Sequence, residues 1–177
     1  MAHESKVFAV EPDKDMMRII EDNLRNFPNC VPMGSTAEDT GIKANSVDLI
    51  FCGNSYHWFD RDKVIPEFKR ILRGGMGKPN ILISSLGPYN NQTPSQQSDF
   101  KDGKFIEKIF DYTVHNNFNE FLHGSLSASN VPRSRDDGFE EYCDSLKQFF
   151  EKHGVNGKME TKFRLFCVMG NVGGLIQ

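Results

Sequence analysis

No stretch of this 177-residue chain approaches the roughly 20 consecutive apolar residues a helix needs to cross a bilayer. The opening "MAHESK" is not followed by the apolar core of a secretory signal. No membrane partner is therefore expected, and a cytoplasmic location is. Basic excess is missing too: 21 Lys and Arg stand against 24 Asp and Glu, a formal net charge of −3. The phosphate-neutralising surface that nucleic-acid binding requires is not expected either. The four cysteines, Cys30, Cys52, Cys143 and Cys167, form no C-x-x-C pair and lack metal-ligand spacing. They are expected as reduced thiols packed in a core, with no metal site. There is no G-x-G-x-x-G run, the phosphate cradle of dinucleotide-binding folds. Tryptophan occurs once, at Trp58. What the chain does have is 38% hydrophobic residues, enough to bury a core, in a length that suits one domain of about 100–200 residues.

The order of apolar runs predicts an α/β fold. "KVFAV" (Lys6–Val10) has no polar alternation, as in a strand covered on both faces. Asp13 can cap a following helix whose Met16, Ile19, Ile20 and Leu24 recur at helical spacing, and Pro28 closes it. Cys30–Met33 and "SVDLIFCG" (Ser46–Gly53) read as two more strands. Asp60 or Asp62 can cap the next helix, with Val64, Ile65, Phe68, Ile71 and Leu72 as its buried stripe. Gly74–Gly75 is expected to stop that helix as a left-handed cap does. "NILISS" (Asn80–Ser85) is a fourth strand, and Leu86–Gln97 turns polar and loop-like. Phe105–Thr113 and Glu120–Ala128 show weaker helical patterns, Phe139–Gly154 a firm one, and Met159–Met169 a last strand, expected antiparallel. The arrangement is a doubly wound, Rossmann-like, mostly parallel sheet with helices on both faces. It forms one domain, 1–177, with a variable insert over 86–137.

Three segments follow the first three strands, where open sheets bind their ligands. Glu11 follows the first, and an acid there can accept both hydroxyls of a ribose; it can equally be a solvated acid favoured by a helix dipole. "GSTAED" (Gly34–Asp39) follows the second: small residues admit a flat ring, and Glu38 can accept from an exocyclic amine. An ordinary polar or capping loop reads the same way. Asn54–Phe59 follows the third. His57 can take a proton from a nucleophile, histidine being the side chain that titrates nearest neutral pH, and Trp58 can form an apolar wall beside a bound ligand. Alternatively, Trp58 packs under the next helix and His57 bonds to backbone.

"VFAVEPDKDM", "GSTAEDTGIKANSVDLIFCGNSYHWFD" and "FKRILRGGM" resemble the class I S-adenosylmethionine-dependent methyltransferases, in particular those acting on small molecules. "FEEYCDSLKQFFEKHGVNGKMETKFRLFCVMG" is similar to the last helix and strand of that family. The resemblance implies S-adenosylmethionine as cofactor, held by Glu11, Pro12, Met16, Ala37, Glu38 and Asn54. It also implies His57 as catalytic base, Trp58 against the substrate, a small-molecule acceptor and no metal.

The family opens with a strand running into a glycine-rich loop that holds the methionine part of the cofactor, and the sequence starts at what resembles the family's second strand. The first strand and helix of the family fold are thus expected to be absent, leaving two half-sheets with open edges. Impaired cofactor binding and impaired methyl transfer follow, with a homodimer or another chain covering those edges. Two alternatives remain: a non-catalytic binding or regulatory protein of the same fold, and a nicotinamide-dependent oxidoreductase, since an acid after a strand also reads the ribose of NAD.

Overall fold

The computed structural model describes residues 5–74, 79–88, 104–128 and 130–174. β1 (Val7–Val10) and β2 (Cys30–Met33) pair in parallel, with Val7 opposite Cys30 and Val10 opposite Met33. Pro32 brings no amide to the ladder, which suits a strand at an edge. Between them runs α1 (Lys14–Leu24). Its first turn is capped by Asp13, whose carboxylate accepts from the amides of Asp15 (3.0 Å) and Met16 (2.8 Å). The inward column of α1 is Met17, which is buried, with Ile20 and Leu24 half-buried. Met16 and Ile19, expected on the buried side, are 49% and 53% exposed. Two strands are too narrow to cover the whole apolar stripe, so only one column of it is buried.

A second parallel pair forms from β3 (Ile50–Gly53) and β4 (Ile81–Pro88), with Ile50 opposite Ile81 and Gly53 opposite Ser84. β3 is shorter than its apolar run, because Val47 makes only an isolated bridge to Leu72. α2 (Arg61–Ile71) follows β3, capped by Asp60, which accepts from the Asp62 amide. Its Val64, Ile65, Phe68 and Ile71, with Leu72 just beyond, are buried as expected, and most of them pack with Cys52, Ile81, Ile83 and Val168 into one cluster. The expected left-handed cap does not end α2. Leu72 turns extended (φ −68°, ψ 139°) and the Arg73 amide donates to the Val47 carbonyl at 2.8 Å. A strand-like bridge therefore competes with the next helical turn and stops it. Gly74 has no positive φ, and Gly75 lies outside the described residues. β4 also runs on to Pro88, into the expected loop, whose remainder to Gln97 lies outside them too.

The stretch expected as a helix over Phe105–Thr113 is instead a strand, β5 (Phe105–Asn116). Its partner is β6 (Met159–Gly170), and the four strands order as β3-β4-β6-β5. Asp111 meets Arg164, Tyr112 stacks on Phe163 and His115 meets Glu160, so β5 and β6 run antiparallel. Aromatic and β-branched residues in FIEKIFDYTVHN gain these cross-strand pairs, which outweigh a weak helical period. α3 (Phe118–Leu126) begins two residues before its expected start, because Asn117 and Glu120 form a reciprocal capping box. α4 (Phe139–His153) matches its expectation to one residue. The rings of Phe118 and Phe121 pack on Phe149 and Phe150.

Two compact units result: 1–85 with 93–108 and 167–177, and 86–92 with 109–166. The first holds every residue singled out for cofactor or substrate. Within it, the parallel strands fall into two sets. Among the described residues the β1–β2 pair and the β3–β4 ladder belong to separate sheets.

The burial pattern sets an expected contrast. Ile65 is fully buried and Ile19 is 53% exposed, so Ile65→Ala should cost about 2–5 kcal/mol in urea unfolding. Ile19→Ala should cost under about 0.5 kcal/mol. Equal losses would place the buried face of α1 where the sequence alone puts it.

Candidate functional site

The residues singled out in the sequence follow the carboxyl ends of β1, β2 and β3. The Glu11 amide donates to the Met33 carbonyl at 3.1 Å, and the Ser35 amide donates to the same carbonyl at 2.9 Å. The exits of β1 and β2 are therefore tied together, with Glu11 and the Gly34–Thr36 segment leaving from one edge. The Glu11 carboxylate is oriented by the Asp13 amide, which donates to Oε1 at 3.0 Å. Its Oε2 has no partner among the described residues. Pro12 and Met16 are exposed beside it.

Beyond β2 the chain crosses to α2. Ala37 packs on the core cluster. Glu38 is half-buried, and its Oε1 accepts the amide of Asp60 at 3.0 Å. This bond sets the Ala37–Glu38 pair against the segment that follows β3. There Asn54 takes a left-handed backbone (φ 51°), a conformation asparagine tolerates better than most residues. Its amide donates to the Ser84 carbonyl at 2.9 Å. The turn leads into a short 3₁₀ segment, Tyr56–Trp58.

That segment separates its aromatic residues by role. Tyr56 is buried and meets Phe59 edge to face, and Phe59 meets Phe68 of α2 in the same way. Trp58 is 70% exposed, and His57 is exposed beside it with ring centroids 4.9 Å apart. The alternative in which Trp58 packs under α2 is overturned, since Tyr56 and Phe59 already fill that place. An indole left in water beside an imidazole, at the exit of a parallel strand, is free to meet a ligand.

Glu67 and Thr40 escaped the sequence reading. Glu67 is 8% exposed and Thr40 3%. Glu67 Oε1 accepts both the Thr40 amide (3.0 Å) and its hydroxyl (2.5 Å). Arg70 donates to the same carboxylate from Nε (2.6 Å) and Nη2 (2.7 Å). The Arg70 guanidinium, aided by Thr40, pushes the Glu67 carboxyl down to about 2 from its usual 4.5. A signal was present: Glu67 lies three residues after Val64 and four before Ile71, an acid on the apolar face of α2. Such an acid must find partners. By contrast, Cys52 is an inert core thiol, its pKa pushed up to about 12 by burial. Among the described residues no group of His, Cys, Asp or Glu has the makings of a metal site, and no helix is long and apolar enough to cross a membrane.

Residues 1–76, the part that contains all of these positions, match the family model described as a methyltransferase domain. Over those residues the chain is similar to a methyltransferase domain. An uncharacterised methyltransferase of Mycobacterium tuberculosis, Rv3342, is 36% identical over 69 residues, which is 39% of this chain and 27% of that protein. A methyltransferase-like protein of Schizosaccharomyces pombe, C25B8.10, is 26% identical over 108 residues, 53% of this chain and 41% of its own length. The chain thus spans well under half of either relative. Among solved structures, a type II methyltransferase from Anaeromyxobacter dehalogenans, itself named only by similarity, superposes with a TM-score of 0.52 at 17% identity, covering 95% of this chain and 81% of that one. The [4+2]-cyclase SpnF superposes at 0.51 and 10% identity, covering 96% and 67%. At such identities the methyltransferase fold is shared, and chemistry has to be read from the site.

The charge on Glu67 has a measurable sign. Its folded pKa is depressed, so the stability it contributes is present above the ordinary carboxylate range and lost as pH falls towards about 2. Glu67→Gln should lower stability by about 1–3 kcal/mol near neutral pH. The gap to the unsubstituted protein should then narrow as pH falls below 4.5. Thermal denaturation across pH checks this, and a gap independent of pH would remove the ion pair from the account.

Proposed function

We propose that this chain holds the adenosine half of S-adenosylmethionine at the exits of β1–β3 and serves methyl transfer to a small-molecule nucleophile. The observation that carries this reading is the coincidence of Glu11, the Ala37–Glu38 pair and the exposed His57–Trp58 pair in one unit, each at the carboxyl end of a different parallel strand. The residues fit a nucleoside. Glu11 presents an oriented carboxylate with Oε2 open to a ribose hydroxyl. Ala37 is small enough for a flat ring to approach, with Pro12 and Met16 as apolar neighbours. Glu38, held through Oε1, keeps Oε2 for an exocyclic amine, and Asn54 ends the strand that leads to the acceptor side. When bound, the cofactor supplies an electrophilic methyl group. Trp58 excludes water from the acceptor, and His57 takes the proton the nucleophile releases.

The methionine half of the cofactor asks for different groups. Its carboxylate needs amide or cationic donors, whereas Glu11, Glu38 and Asp60 are acids. These 177 residues by themselves are therefore assigned weak cofactor retention and slow methyl transfer. Calorimetric titration tests both halves. Adenosine and S-adenosylhomocysteine should bind with similar affinity, and Glu11→Ala should weaken both by about 1.5–3 kcal/mol, as for hydrogen bonds to a charged group. Much tighter S-adenosylhomocysteine binding, or fast single-turnover methyl transfer, would refute the division between the halves. Unchanged affinity in Glu11→Ala would return Glu11 to the role of a solvated acid.

A second copy of the chain is the partner we propose for the open strand edges. Val7 on β1, Leu49 just before β3 and Phe51 on β3 are 47%, 49% and 62% exposed, although parallel strands normally have both faces covered. Sedimentation should show concentration-dependent association, and Phe51→Lys should shift it towards monomer. A monomer at all concentrations would reject the dimer.

A further inference from the structure

The stretch from Gly34 to Ile42 carries Ala37 and Glu38, yet none of it is helix or strand. Its shape is imposed from outside. Thr40 gives both of its donors, amide and hydroxyl, to Glu67 Oε1 across 27 positions of sequence. The same hydroxyl accepts the Ile42 amide at 3.1 Å, and the Ser35 hydroxyl donates to the Thr40 carbonyl at 3.1 Å. At the other end of α2, Glu38 Oε1 accepts the Asp60 amide. Asp60 and Glu67 are seven positions apart, about 10 Å along a helix at 1.5 Å per residue. The loop is thus clamped to α2 at two points roughly two turns apart.

Arg70 holds the Glu67 carboxylate by two further bonds, so Glu67 is fixed on its own helix before it grips the loop. A carboxylate present only to stabilise α2 needs Arg70 alone, three residues on. The two bonds to Thr40 serve the loop.

We propose that Glu67 is a positioning residue for the nucleoside site, holding Glu38 in place through Thr40 while touching no ligand itself. The role rests on the nucleoside reading above. It explains why a charge is buried on the apolar face of α2, where burial without partners would be costly. It also explains why the loop needs no secondary structure of its own.

The test combines S-adenosylhomocysteine titration, well below the melting temperature, with amide hydrogen exchange of the ligand-free chain. Glu67→Ala should speed exchange across 34–42 while the β1–β2 amides keep theirs, and affinity should fall about tenfold. Glu67→Gln, whose amide oxygen still accepts from Thr40, should recover most of that affinity. Should Glu67→Ala fail to fold, Thr40→Val, which loses only the hydroxyl, should show a smaller fall of the same kind. In a Glu38→Ala background, Glu67→Ala should add less than about twofold, because the two act as one unit. Unchanged affinity in a folded Glu67→Ala or Thr40→Val variant, or full additivity with Glu38→Ala, overturns the positioning role and leaves the nucleoside site standing. If the unsubstituted chain binds neither adenosine nor S-adenosylhomocysteine, the site falls and the role with it.

Discussion

One carboxylate sits where the packing of the first unit and the shape of its site meet. α2 closes the core from one side with Val64, Ile65 and Phe68, and on the same face it carries Glu67. The apolar residues fix the helix against β3 and β4, and the fixed helix then becomes a rigid rail for the loop that leaves β2. Four hydrogen bonds converge on Glu67, two from Thr40 and two from Arg70. A buried carboxylate so supplied is compensated, and the removal of one partner leaves the others facing an unmatched charge. Packing and site geometry are therefore not separable here: the helix that buries most of the core also sets the position of Ala37 and Glu38.

The parallel strands were the most legible part of the sequence. VFAV and IFCG are short apolar runs with no alternation, and their positions survive in β1 and β3. Helix existence was also legible where an aspartate cap precedes a stripe, as at Asp13 and Asp60. Facing was less so. Met16 and Ile19 share a helical period with Ile20 and Leu24, and period alone does not say how wide a sheet lies beneath. β5 was misread because its pairing with β6 spans some 50 residues, as in the Asp111–Arg164 pair, and no local window contains such a partner. The end of α2 was misread for a related reason: the bridge between Val47 and Leu72 supplies an alternative to a left-handed glycine.

For the candidate site, the sequence names segments that follow strands, and the structure has each of them leaving the carboxyl end of a parallel strand. Roles within a segment needed coordinates. The sequence offers Tyr56, His57, Trp58 and Phe59 as four consecutive ring-bearing residues; only packing shows that Tyr56 and Phe59 turn inward while His57 and Trp58 stay in water. Glu38 looked like a free acceptor, and the structure has it half engaged by the Asp60 amide. Glu67 was not singled out from the sequence, because its decisive partner, Thr40, lies in a loop with no pattern to advertise it.

The sheet division follows from the same economy of contacts. β1 and β2 satisfy each other, and β3 is satisfied by β4, yet no ladder joins the two pairs among the described residues. Among the described residues, the loop from Gly34 to Ile42 and its clamps on α2 help to link them, so side-chain hydrogen bonds carry part of a connection that backbone ladders make in a continuous sheet. Such bonds are individually worth about 1 kcal/mol, rising to about 3 when one partner is charged. This places the charged grip of Glu67 above the neutral bonds within the loop. It also makes the relative placement of Glu11 and His57, which stand on opposite sides of the division, depend on that grip. A ligand touching both would add a second link across the gap, and ligand binding and loop order would then reinforce each other.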